Sequence, residues 1–134
     1  MQGVNDMSYE YYNPNPKKHK VGDCSVRALC KALNKEWADA YSMLCSEGLH
    51  LADMPNSNYV IGMVLRKFNF EQKMMISTCP LCTTVFDFSV NHPEGTYVLI
   101  TEDHAVTVKD GKYYDTFNSG EETVLYYFYE RGTK

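Results

Sequence analysis

Between residues 104 and 117 the chain reads HAVTVKDGKYYDTF, and the Asp110-Gly111 pair inside it constrains the fold more than any other feature. An Asp-Gly dipeptide supplies the positive-φ positions of a two-residue turn whose twist matches that of the strands it joins. Val106 and Val108 before the turn and Tyr113 and Tyr114 after it favour strands, so the stretch predicts an antiparallel hairpin. The two-residue turn also sets the register: Lys109 faces Lys112, and pairing runs outward from there. His104 then faces Phe117 and lies diagonal to Asp115 on the same face, which brings a carboxylate within reach of an imidazole.

Two further stretches, TYVLIT (96–101) and TVLYYFYE (123–130), predict strands. Upstream the apolar period changes from two to about 3.6. From Ser25 to about Leu33, Val26, Leu29, Cys30 and Leu33 recur at helical spacing, with Arg27 and Lys31 on the other side. Trp37 to Glu47 predicts a second helix with Trp37, Ala40, Tyr41 and Leu44 inward, stopped by Gly48. A third runs from Ser57 or Asn58 to Phe68, and TTVFDFSVNHPEG gives a short fourth that ends at His92-Pro93. The prolines of NPNPKKHK make residues 1–19 an extended lead-in. Helices first and antiparallel strands later predict an α+β fold, with N-terminal helices packed on a small antiparallel sheet. At 134 residues this is a single domain, 1–134.

A formal charge of -4 and one short basic cluster, PKKHK, argue against nucleic acid as a partner. No apolar run approaches the roughly 20 residues of a spanning helix, and the N-terminus has no export signal, so no membrane partner and a cytoplasmic location are expected. The five cysteines are then expected to be reduced and are read one by one. Cys79 and Cys82 in TCPLC have the spacing of half a zinc site or a redox dithiol. The other candidate ligands, Cys45, His50 and His92, show no paired spacing, so a proline turn with no metal and no cofactor is the expectation.

Cys24 follows Gly22-Asp23 and falls in the first turn of the first helix, where the macrodipole and a nearby imidazolium favour thiolate. The His104–Asp115 pair is the orienting half of a nucleophilic triad: the acid holds the imidazole, and the other ring nitrogen handles the nucleophile's proton. Each residue also has a simpler reading. Cys24 could be a buried structural thiol, His104 a surface residue, and Asp115 a turn cap with Thr116 and Ser119.

Cysteine at a helix start, followed far downstream by His and Asp on adjacent strands, resembles the papain-like cysteine peptidases. VGDCSVRAL is similar to the nucleophile segment of the bacteriocin-processing peptidase domains of ABC transporters, and HAVTVKDGKYYDTF looks like their His-to-Asp hairpin. The nearest resemblance is to small papain-like proteins of phages and gut Firmicutes, with GDC…RA near the start and H.V.V.DG..YDT..SG near the end. It covers about Asn13 to Tyr127. The resemblance implies a papain-like fold with Cys24 as nucleophile, His104 as general base and acid, and Asp115 as orienter; Asn118 is the alternative orienter, as papain uses Asn. The family's oxyanion donor is a Gln six residues before the Cys, a place held here by Lys18. That departure passes the role to Lys18, Asn13 or Asn15, with the Cys24 backbone N–H as second donor. The implied function is hydrolysis of an amide or isopeptide bond in a polypeptide. The alternative is a weak or inactive papain-like module, phage-encoded, that binds a host or partner protein.

Overall fold

The computed structural model describes residues 8–75 and 83–132; Cys79 and Cys82, and with them the expected proline turn, lie outside these. The architecture is α+β. Ten elements follow in the order β1 (Tyr9–Tyr11), α1 (Cys24–Leu33), α2 (Trp37–Leu51), α3 (Asn58–Lys67), β2 (Phe70–Met74), α4 (Val85–Asn91), β3 (Thr96–Ile100), β4 (Ala105–Lys109), β5 (Lys112–Asp115) and β6 (Tyr126–Glu130). The strands form one six-stranded sheet in the order β1-β5-β4-β3-β6-β2.

At the centre, β4 and β5 pair antiparallel across Asp110-Gly111 with Lys109 opposite Lys112 and Val108 opposite Tyr113, as the turn demands. Asp110 and Gly111 both have positive φ, at 51° and 85°. The sheet exceeds the sequence expectation in two places. Tyr9–Tyr11, read as lead-in, adds to β5 as a parallel edge strand, so the sheet is mixed. Phe70–Met74 pairs antiparallel with β6 at the opposite edge. It buries Phe70 alone, which leaves no apolar alternation to announce a strand.

Alternation along the strands sends side chains to two cores. On one face Val98, Ile100 and Phe128 meet Leu29, Leu44, Ile61 and Leu65 from the first three helices. On the other, Leu99, Val106, Val108 and Tyr113 meet Val85 and Phe88 of α4, which Thr84 starts with a reciprocal capping box through Asp87. One polar bond locks α1 onto the hairpin: the buried Thr107 hydroxyl donates to the Ala28 carbonyl at 2.6 Å.

Helix α2 runs through Gly48 to Leu51 and ends at left-handed Ala52. Gly48 serves close approach rather than termination, since a Cβ there would stand 2.8 Å from the Asp53 carbonyl oxygen of the returning loop. That oxygen belongs to backbone and cannot swing away, so Gly48→Ala is expected to destabilise the fold by about 1–3 kcal/mol in urea unfolding. Tyr41, expected inward, is exposed; its ring stacks on Trp37 with centroids 4.9 Å apart. Among the described residues no helix is long and apolar enough to cross a membrane.

Candidate active site

Cys24 is the first residue of α1 and Asp23 is its N-cap, yet the Asp23 side chain makes no capping bond. Its carboxylate is engaged elsewhere: Oδ1 accepts from Arg27 Nη1 at 2.7 Å and Oδ2 from Trp37 Nε1 at 2.9 Å. The first amides of the helix, which have no intrahelical acceptor, are therefore left uncapped by Asp23 beside the sulfur.

The hairpin supplies the rest. His104, one residue before β4, bonds through Nε2 to Oδ2 of Asp115, the last residue of β5, at 2.6 Å. This is the diagonal pair that the turn register predicts. With Nε2 committed, Nδ1 is the nitrogen left for the Cys24 thiol, which hydrogen-bonds the imidazole and also takes the Ala105 backbone N–H. Asp115 is fully buried and held from several sides. Arg27 Nη2 donates to its Oδ1 at 2.9 Å, the Thr116 N–H to Oδ1 at 2.8 Å, and the Ser119 hydroxyl to Oδ2 at 2.7 Å. The turn-capping role and the orienting role thus coexist in one carboxylate.

These contacts bias the protons. Burial pushes the Cys24 thiol up, but the hydrogen bonds from His104 and the Ala105 amide, with the charges of His104 and Arg27, outweigh it and hold the thiol below its ordinary value. Burial disfavours the His104 imidazolium, yet bonds and charge from Asp115 and Cys24 raise its pKa to about 10. For Asp115, burial is likewise outweighed by His104, Ser119 and Arg27, and its pKa falls. The Cys24 and His104 shifts both favour the thiolate–imidazolium form of the pair. Cys30, a buried thiol on the same helix, shows the contrast: burial raises it to about 11.

Arg27 was expected on the outer side of α1 and is instead buried between two carboxylates. A pattern was present in the sequence: Asp23 and Arg27 are four residues apart, the spacing of an ion pair on one side of a helix.

The other candidates lie elsewhere. Asn13 and Asn15 are buried within the 13–19 loop: Asn13 Nδ2 donates to the His19 carbonyl at 3.3 Å, and Asn15 Oδ1 accepts from the Lys17 and His19 amides at 2.9 and 3.3 Å. Lys18, left-handed at φ 59°, returns its ammonium to the Asn13 carbonyl at 3.2 Å. Asn118 accepts from the Tyr113 hydroxyl and the Gly120 amide, so Asp115 is the partner that His104 uses. His92 packs on Phe88 with centroids 3.7 Å apart and bonds the Phe88 carbonyl through Nδ1, while His50 lies in the last turn of α2 and Cys45 is half-buried.

Cys24 and His104 open onto a cavity of about 440 Å³, walled by Gly22, Ala105, Asp103 and the segment around Asn56–Asn58 with Ile61. Asn13, Asn15 and Lys18 do not line it. No family model, no curated protein and no solved structure matches the chain.

Proposed function

We propose that the protein is a cysteine hydrolase of papain-like type that cleaves an amide or isopeptide bond in a polypeptide. The observation that carries this reading is the continuous chain Cys24–His104–Asp115 at the edge of an open cavity.

The thiolate sulfur attacks the substrate carbonyl carbon, and the carbonyl oxygen becomes an oxyanion facing the uncapped amides at the start of α1. His104 gives its Nδ1 proton to the leaving nitrogen, the C–N bond breaks, and the amine departs from a thioester. Acylation removes the thiolate charge that helped raise the imidazole, so neutral His104 can now take a proton from water. Hydroxide adds to the thioester carbon, the C–S bond breaks, and the released acid leaves thiolate and imidazolium as before. Asp115 holds Nε2 throughout and stays ionised.

Selective chemistry at one thiol tests the reading. Iodoacetamide at mildly acidic pH is expected to alkylate Cys24 well before Cys30 and Cys45, read by peptide mass spectrometry. Peptide hydrolysis should vanish in Cys24→Ala. Uniform labelling of the folded chain's cysteines would remove the activated nucleophile. A second reading, a binding module that has lost turnover, draws on the absence of Lys18, Asn13 and Asn15 from the cavity wall, which leaves the helix N-terminus to meet an oxyanion. It would show as selective Cys24 alkylation without turnover of any peptide.

A further inference from the structure

A second cavity, about 420 Å³, abuts the first and shares Gly22, Met54 and Asn56 with it. Its size falls in the range of about 300–1,000 Å³ common to ligand pockets. Its wall is largely apolar: Val26, Leu44, Pro55 and the stacked rings of Trp37 and Tyr41. Among the described residues the one charged side chain on it is Asp23, whose two oxygens are already taken by Arg27 and Trp37. The indole N–H is turned to that carboxylate, so Trp37 keeps no free donor for the cavity. A charged side chain entering here would meet no opposite charge and only the neutral polar groups of Ser25 and Asn56, whereas a ring or branched aliphatic group would bury its surface against the apolar wall. Gly22, on the wall of both cavities, has no side chain, and apart from its chain neighbours no atom lies within 4 Å of where its Cβ would stand.

We propose that this cavity is the specificity subsite: it selects a polypeptide substrate by one bulky apolar side chain, aromatic or branched aliphatic, that enters while the scissile carbonyl sits at Cys24. The assignment rests on the hydrolase reading for the place of the scissile bond. An extended chain advances about 3.3–3.6 Å per residue, so a side chain a few residues from that bond reaches across Gly22.

Trp37 is the chain's single tryptophan, so occupancy reads directly in its fluorescence, independently of cleavage. The probes are acetylated and amidated hexapeptides of Gly and Ser that carry one central Phe, Leu, Ala, Lys or Asp, titrated into the full chain bearing Cys24→Ala. The Phe and Leu peptides should give a saturable change, with at least tenfold weaker binding for the other three. Two substitutions added to that background, Gly22→Leu to place a side chain on the shared wall and Tyr41→Ala to remove half of the stack, should each weaken the Phe peptide at least tenfold. Both sites are open to solvent, and a thermal melt checks that each variant folds. Equal binding of the Phe and Ala peptides, no saturable signal with any peptide, or unchanged binding in both folded variants overturns the subsite. If these fail while iodoacetamide still selects Cys24 in the unsubstituted chain, the subsite alone is wrong. If peptides discriminate but Cys24 is unreactive, the cavity stands as a binding site and the hydrolase falls.

Discussion

Replacing Arg27 with Met is expected to lower the free energy of unfolding by about 3–5 kcal/mol, the range found when one partner of a buried ion pair is removed. The guanidinium is 5% exposed and pairs with Asp23 at 2.7 Å and Asp115 at 2.9 Å, themselves 5% and 0% exposed. Met fills much of the same volume, so little of the loss comes from a cavity. It comes from two carboxylates left with less compensation in a dry site. Arg27→Lys should recover only part of it, because a single ammonium cannot present the fork that spans both acids. Urea unfolding measures the effect; a loss under about 1 kcal/mol in Arg27→Met would mean that these carboxylates find other partners or protonate at little cost. The consequence reaches Cys24. Asp23 is the N-cap of the helix that begins with Cys24, and Asp115 orients His104, so Arg27 joins the two ends of the site through one side chain.

The parts of this arrangement that the sequence made legible are those set by local rules. Asp110-Gly111 specifies a two-residue turn, the turn specifies the register, and the register places His104 against Asp115. Helix α1 was legible from its apolar spacing, and the position of Cys24 at its start followed. The rest depends on partners distant in sequence. Tyr9–Tyr11 becomes a strand only because β5 offers it an edge more than a hundred residues later. Phe70–Met74 is mostly exposed and carries no period for a reader to detect. Gly48 has the residue type of a helix stop, and only the returning Asp53 carbonyl reveals why glycine stands inside the helix. Arg27 shows the same limit within the site: a charge facing inward on an amphipathic helix becomes intelligible once a second acid arrives from β5. The Lys18, Asn13 and Asn15 candidates came from the spacing of a resemblance, and that spacing does not convey that the loop uses all three to hold itself.

The second large effect is kinetic and concerns His104. In the unsubstituted chain the Cys24 alkylation rate should reach its plateau at a lower pH than that of an ordinary thiol, because His104 and the Ala105 amide hold the sulfur's pKa down, and it should fall as acid protonates the sulfur. In His104→Ala the ring hydrogen bond and the imidazolium charge are gone, so burial, the largest influence on this thiol, is opposed only by the Ala105 amide and Arg27 and the thiol pKa rises. Thiolate fraction changes about tenfold per pKa unit, so the rate at pH 7 should drop and its climb should move to higher pH. An identical profile in the two proteins would show that His104 does not control the thiol. Stability supplies an independent check with a definite sign. A histidine raised to about 10 in the folded state stabilises the fold in full below its unfolded value of 6.5 and loses that contribution as pH rises toward 10. In a Cys24→Ala background, where no thiol titrates with the opposite sign and Asp115 alone raises the imidazole, the destabilisation caused by His104→Ala should therefore be larger at pH 6 than at pH 10. A gap that stays constant over that interval would mean that the imidazole contributes packing alone, and the reactivity of Cys24 would then need a source other than an ion pair with His104.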